Sequence, residues 1–233
     1  LEGGSNTLLQ AMQAAIEMQG GEIRLNSSVH RIAVKDGSVH GVDVNGRTEP
    51  FNQVISTIPL PYVPQMIPDL PLDVLTKFQA IKNIAVVCVI VKLRKAVTDN
   101  FWLNINDPEM DIPGLVEYSN LRPLDHHIVY VPFYMPGEYP KYAAPDQAFK
   151  DKVKRYLIKI NPNLCDEDFI DIQANRYRYA QPICEPGYLN KLPPVALQVK
   201  GLWVADTSYY YPEDRGISES IEFGRKIAKE ATA

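Results

Sequence analysis

The run IAVVCVIVKL, residues 84–93, restricts the fold more than any other stretch of the chain. Its eight apolar residues from Ile84 to Val91 are rich in β-branched side chains and leave no polar face. Such a run predicts a strand covered on both sides, which places a sheet between other layers. It falls well short of the roughly 20 residues a membrane-spanning helix needs, and Lys92 follows at once. No longer apolar run occurs, so no membrane span is expected. Hydrophobic residues at 45% and charged residues at 22% fit a globular protein, and 233 residues allow one large domain or two small ones.

The segments around this strand supply partners for it. FWLNIN, GLVEYSN and HHIVYVPFYM read as further strands and FIDIQANRYRYAQPI as a long alternating one, consistent with an antiparallel sheet. DQAFKDKVKRYLIKI predicts an amphipathic helix with Phe149, Val153, Tyr156, Leu157 and Ile160 inward, stopped by Asn161-Pro162. Nearer the start, SNTLLQAMQAAIEMQGG predicts a helix capped by Ser5 or Asn6, with Leu8, Leu9, Met12, Ala15 and Ile16 on one apolar face and Gly20-Gly21 ending it. EIRL is expected as a short strand. VHRIAV and SVHGVDV flank Asp36-Gly37, and Asn45-Gly46 follows; both dipeptides are hairpin signals. QVISTIP reads as a short strand ended by Pro59, and LDVLTKFQAI as a helix. Between them PLPYVPQMIPDLPLD holds five prolines and reads as a linker or domain crossing.

This order predicts an α/β (α+β) chain of two parts. Residues 1–60 and 195–233 form one discontinuous domain in which QVISTI and LWVA share a sheet. Residues 61–194 are an inserted domain of mixed, mainly antiparallel sheet plus helices. The net charge of −4 argues against a nucleic-acid or anionic-membrane partner. Cys88, Cys165 and Cys184 are odd in number and widely spaced, which suits a reducing compartment and gives neither a disulfide framework nor a zinc site. LEGGSNTLLQ lacks the basic and apolar regions of a signal peptide, so a cytoplasmic location is expected. A start at Leu1 without Met is read as processing or as a cut inside a longer sequence.

The chemistry concentrates in GLWVADTSYYYPEDRGISESIEFGRKIA, residues 201–228. Asp206 falls at the carboxyl end of a short strand, where open α/β sheets hold their ligands. A carboxylate there accepts hydrogen bonds from a hydroxyl-rich ligand. A helix beginning near Gly216-Ile217-Ser218 offers unpaired N–H groups and a positive dipole end, suited to a phosphate or a negatively polarised carbonyl. Gly216 allows close approach to the backbone. The plain alternative is that Asp206 caps a turn and Gly216 opens a helix.

These residues resemble the C-terminal FAD-binding motif of flavin-dependent amine oxidases, protoporphyrinogen oxidases and phytoene desaturase-type enzymes. EGGSNTLLQAMQAAIEMQGGEIRLNSSVHRIAVKDGSVHGVDV, with QVISTIP after it, resembles the central FAD-domain segment of the same family. The resemblance covers both ends of the chain and leaves the middle weakly matched. It implies that the Val29 backbone lies against adenine, that Asp206 binds the ribityl chain, and that the N–H groups of Gly216 and Ile217 face the flavin pyrimidine end. Such enzymes begin with a strand, a Gly-x-Gly-x-x-Gly turn and a helix. Here EGGSN and MQGGE are the only glycine doublets, and neither follows a strand while opening a helix. The chain is therefore expected to be the C-terminal piece of a longer flavoprotein, with FAD in the parent, no tightly bound FAD of its own, and self-association through an exposed groove.

Three positions depart from the family pattern. Ala205 replaces the glycine before the acid, the strand lysine of amine oxidases falls at Val87 with Lys92 further along, and their aromatic cage residue falls at Gly216. No catalytic side chain is assigned. Tyr209 and Tyr210, with Tyr177 and Tyr179 alternating against Arg176 and Arg178, are the candidates to line a substrate cavity; ordinary packing is the alternative for each. His126 and His127 point to opposite sides of a strand and read as a solvated strand entrance. Asp166, Glu167 and Asp168 read as a turn, Cys184 as a free thiol, and no metal site is expected. The expected activity of the parent is oxidation of a small-molecule substrate by hydride transfer to FAD. Two alternatives are a non-redox flavoenzyme resembling UDP-galactopyranose mutase, with arginines converging on a pyrophosphate, and a protein-binding domain on a retained flavoprotein scaffold.

Overall fold

The computed structural model describes residues 3–232. The chain opens with α1 (Ser5–Met18), β1 (Val29–Lys35), β2 (Ser38–Val44), β3 (Arg47–Pro50) and β4 (Val54–Ser56). Strands β1, β2 and β3 form an antiparallel meander. Both of its turns carry positive φ at two successive residues, 50° and 70° at Asp36-Gly37 and 50° and 80° at Asn45-Gly46, the geometry of tight hairpin turns. EIRL is not a strand: no ladder reaches it, and Arg24 is held instead by Glu49 of β3 at 2.6 Å. Helix α1 ends at Met18, with Gly20 at positive φ just beyond its C-cap Gln19 as the stop signal implies, but Gly4 is its N-cap and no side chain caps it. None of its residues is buried; on the predicted apolar face Leu8 and Ala15 are half-buried and Leu9, Met12 and Ile16 are exposed.

The proline-rich stretch is not a linker. It folds into a 3₁₀ turn (Leu60–Tyr62), then α2 (Val63–Met66) and α3 (Leu72–Ala80). Pro61 and Pro64 sit in first turns, where a missing N–H costs nothing. Leu60, Val63, Ile67 and Phe78 are fully buried, in one core with Ile32, Val39, Tyr188, Leu202 and Val204. This core draws on residues from Ile32 to Ile81 and from Tyr188 to Val204.

A second core belongs to a five-stranded antiparallel sheet. It contains β5 (Asn83–Leu93), β6 (Trp102–Asn104), β7 (Gly114–Glu117), β8 (His127–Met135) and β9 (Phe169–Pro182), in the order β6-β7-β8-β5-β9. The short helix α4 (Tyr118–Leu121) follows β7, and α5 (Asp146–Ile160) follows β8. The apolar run lies in β5. On one face Ala85, Val87, Val89, Val91 and Leu93 are fully buried, and Phe149, Val153 and Leu157 of α5 belong to the same core. The other face is only partly covered, with Cys88 and Ile90 half-buried, so the two-sided cover expected of this run holds for one side.

The chain closes with α6 (Tyr188–Lys191), β10 (Leu202–Val204) and α7 (Ile217–Ala231). Strand β10 pairs in parallel with β4, Leu202 opposite Val54 and Val204 opposite Ser56, so QVISTI and LWVA share a sheet. Among the described residues no helix is long and apolar enough to cross a membrane.

Candidate functional site

The carboxyl ends of β4 and β10 open on a groove of about 390 Å³. Thr57 and Pro59 reach it from β4, Ala205 and Asp206 from β10, and Asn83 and Tyr179 from the five-stranded sheet. Its far wall is the side of α7 that carries Ser220, Phe223, Gly224 and Ile227. That spacing of three, four and seven is one helical face, and it was readable in the sequence although the helix start was read instead.

Asp206 is half-buried at the rim. Its Oδ2 accepts the Leu60 N–H at 2.8 Å, and its Oδ1 accepts the Ser208 N–H at 2.7 Å, capping the 3₁₀ turn Thr207–Tyr210. One carboxylate thus ties the proline-rich segment to the end of β10. Each carboxylate oxygen has two acceptor positions, so the group retains capacity for a ligand hydroxyl. Ala205 is buried, and its N–H donates to Ser56 C=O at 2.9 Å.

The aromatic residues divide by role. Tyr210 lines the groove, donates to Ser220 Oγ at 3.1 Å and packs edge-on against Phe223. Tyr179 lines it too and meets Tyr62 edge-on at 4.8 Å, joining β9 to the proline-rich turn. Tyr209 lies outside the groove lining, stacked on Phe223, where burial pushes its hydroxyl pKa up and its Oη has no partner. Tyr177 is 61% exposed and also stands outside the lining. Arg215 enters the groove mouth and donates to Ala180 C=O and to Gln181 Oε1.

The remaining expected positions are separate from this groove. Val29 begins β1 opposite Val44, partly exposed. Gly216 is the extended N-cap of α7, and the Glu219 carboxylate folds back over it closely enough that a Cβ at Gly216 would overlap Oε2. Ile217 is exposed. A carboxylate thus already meets the positive end of this helix. Val87 is fully buried in the second core, and Lys92 is half-buried on β5 opposite Asp171 and Ile128.

Away from the groove, His127 is less open than a solvated strand entrance implies. Its Nδ1 is shut off from solvent at 3.5 Å from Glu117, a fully buried carboxylate that accepts the Val97 and Thr98 N–H groups. Burial pushes the Glu117 carboxyl pKa up. Asp166–Asp168 forms a 3₁₀ turn, as expected, in which Asp168 accepts the Cys165 N–H and the Lys95 ammonium. Cys184 is a free, exposed thiol. Among the described residues no cluster of His, Cys, Asp or Glu is arranged to hold a metal.

Strand ends, a helix face and a second sheet meeting around one groove define a ligand cleft between two layers of an α/β protein. The chain belongs to the family of flavin containing amine oxidoreductases, whose profile matches residues 1–213. No curated protein matches it in sequence. Among solved structures it is similar to a protein of Exiguobacterium sp. 255-15 provisionally named a protoporphyrinogen oxidase. That similarity covers 99% of this chain and 51% of the other, at TM-score 0.78 and 18% identity. An oxidoreductase of Methanosarcina mazei is similar over 88% of this chain and 49% of its own, at TM-score 0.65 and 16% identity. Reduced UDP-galactopyranose mutase is similar over 69% and 36%, at TM-score 0.53 and 14% identity. At these identities the likeness is one of fold. The chain spans about half the length of the first two.

The groove suits one end of FAD. It offers a carboxylate with spare acceptor positions for a polyol, aromatic walls for a flat ring, and Gly224, where an added Cβ would meet nothing within 4 Å. The sequence holds no glycine-rich turn of the kind that cradles a pyrophosphate.

Proposed function

We propose that this chain forms the flavin-side and substrate-side walls of an FAD-dependent oxidoreductase acting on a small organic molecule. The supporting observation is the groove itself, where the ends of β4 and β10, one face of α7 and Tyr179 from the antiparallel sheet converge. FAD, when bound, supplies a hydride acceptor. Asp206 holds ribityl hydroxyls through its free acceptor positions, and the exposed start of β1 at Val29 lies against adenine. Gly216 and Ile217 offer N–H groups to the flavin pyrimidine once the Glu219 carboxylate swings aside. Tyr179, Tyr210 and Phe223 shield one side of the ring from water and orient the substrate, with Tyr177 and Tyr209 outside the contact surface. A mutase-like reading draws less support: among the described residues Arg215 is the only arginine lining the groove, and its Nη donors already serve Ala180 and Gln181.

Gly224→Leu tests the proposal. The new side chain enters open space in the groove, and leucine is favoured over glycine inside a helix by about 0.5–1 kcal/mol. The variant should melt no lower than the wild type and lack the quenching of flavin fluorescence expected of the wild type at high protein concentration. Equal quenching by both proteins removes the groove as the flavin site.

A further inference from the structure

The three cysteines stand in three environments. Cys88 is half-buried in β5, and burial pushes its thiol pKa up. Cys165 is exposed, but its Sγ donates to Asp168 Oδ2 at 3.2 Å, and hydrogen bonding to Asp168 and then Glu167 pushes its thiol pKa up. Cys184 is exposed and makes no side-chain hydrogen bond among the described residues. Its loop is pinned on both sides. Ile183 N–H donates to Lys82 C=O at 2.9 Å, and the Glu185 carboxylate is held by Lys82 and Lys191, each at 2.7 Å. Cys184 lines a space of about 40 Å³ with Gln181, Ser208, Glu213, Asp214 and Arg215. Such a space takes one small group, a water or a single sulfur with its methylene. Ser208 is only 1% exposed; its N–H donates to Asp206 and its C=O accepts the Tyr188 hydroxyl, but its Oγ has no partner. Buried hydroxyls are nearly always hydrogen-bonded, so this one points to a group bound beside it. Thr207 and Arg215 line both this space and the flavin groove, which makes it a separate site adjoining the groove.

We propose that Cys184 is a thiol–disulfide exchange site for small disulfides that carry ammonium groups. The Cys184 thiolate attacks one sulfur of the incoming disulfide. A new S–S bond forms to Cys184, the ligand's own S–S bond breaks, and its other half leaves as a thiolate that takes up the proton Cys184 gave to solvent. No outside oxidant enters the balance. The Ser208 hydroxyl donates to whichever sulfur carries the negative charge, which gives its Oγ the partner it lacks. The preference for ammonium groups follows from the lining. Glu213 and Asp214 stand with one guanidinium, and neither carboxylate has an ion-pair partner among the described residues. Both Nη atoms of Arg215 are already committed to Ala180 C=O and Gln181 Oε1. Two unpaired carboxylates beside a committed cation favour a positively charged ligand. The other two thiols offer no such site, since one is enclosed by its sheet and the other is bonded to a carboxylate.

The test treats the full chain near neutral pH with cystamine, a dication, and in parallel with dithiodipropionate, a dianion, and follows each cysteine by mass spectrometry of its peptide. With cystamine, Cys184 should be modified at least about tenfold faster than Cys165, and ahead of Cys88. That lead should shrink in urea, where the three environments are lost. Cystamine should outpace the dianion at Cys184, by a margin that added salt reduces. Ser208→Ala should slow Cys184 several-fold with either reagent, and Glu213→Gln with Asp214→Asn should slow it with cystamine alone; Cys165 is the unchanged internal reference in both. The comparison of native chain with urea uses no variant, so it decides even if Ser208→Ala does not fold. Cys165 or Cys88 reacting first, a Cys184 lead undiminished in urea, or a dianion preference at Cys184 overturns the proposal. So does an unchanged Cys184 rate in folded Ser208→Ala, which would leave a bound water as the partner of Ser208.

Discussion

Asp206 shows how one side chain can serve fold and ligand together. Its two oxygens accept N–H groups from Leu60 and Ser208, both almost wholly buried, so the carboxylate is structural whatever else it binds. Asp206→Ala strands both donors, and each buried donor left unpaired costs about 1–3 kcal/mol. Urea unfolding should show that loss, with Asp206→Asn losing less because its amide oxygen still accepts one of the two. A different logic governs Asp168. The Cys165 N–H and Sγ, then the Lys95 ammonium, hold its carboxyl at about 2, below the usual carboxylate range. With the folded value below the unfolded one, its contribution is full above about pH 4 and is lost as pH falls through 2. Melting temperature measured from pH 5 to pH 2 should fall less steeply for Asp168→Asn than for the wild type. An unchanged slope would show that this turn does not titrate with folding.

At the scale of elements, the legible parts were those that local chemistry specifies. Asp36-Gly37 and Asn45-Gly46 set two hairpins because few other dipeptides tolerate two positive φ angles, and β5 announced itself by the unbroken apolar run from Ile84 to Val91. That β4 and β10 share a sheet followed from two short apolar strands and the order of the segments; their direct parallel pairing did not. The proline-rich stretch misled because prolines mark chain direction, not burial; only tertiary packing shows that Leu60, Val63 and Ile67 fill a core. The groove was legible at Asp206, Tyr179 and Tyr210 but not at Asn83 or Arg215, which reach it from loops and strand ends whose approach no spacing encodes. Helix α1 was legible as a helix and misleading as a packed one. Leu9, Met12 and Ile16 remain exposed, only Leu8 and Ala15 of its apolar face are half-buried, and little tertiary burial supports its hydrogen bonds. An isolated 14-residue helix is marginal in water. Its amides should exchange within seconds, while those of β5 and β8 stay protected for hours or longer, readable by mass spectrometry. Protection of α1 equal to that of β5 would mean that something covers its apolar face in solution.

For the whole molecule, the decisive quantity is how much of an FAD site these residues amount to. The groove supplies one carboxylate already shared by two backbone donors, a helix start shielded by its own Glu219, and aromatic walls from Tyr179, Tyr210 and Phe223. Each polar contact contributes about 1–3 kcal/mol, and association sets several kcal/mol against their sum. Little survives, so binding is expected to be weak, with a dissociation constant of roughly 1 mM or above. The pyrophosphate, the most highly charged part of FAD, finds no glycine-rich cradle in this sequence. Purified chain should therefore lack the flavin absorbance bands. A fluorescence titration should give weak binding that riboflavin, which lacks the pyrophosphate and adenine, nearly equals. That near-equality is the discriminating result, because a site built only for the ribityl and ring end gains little from the rest of the cofactor. Copurification of stoichiometric FAD, or a preference for FAD over riboflavin of more than about a hundredfold, would mean that these residues hold the pyrophosphate after all. The groove described here would then be the smaller part of the site.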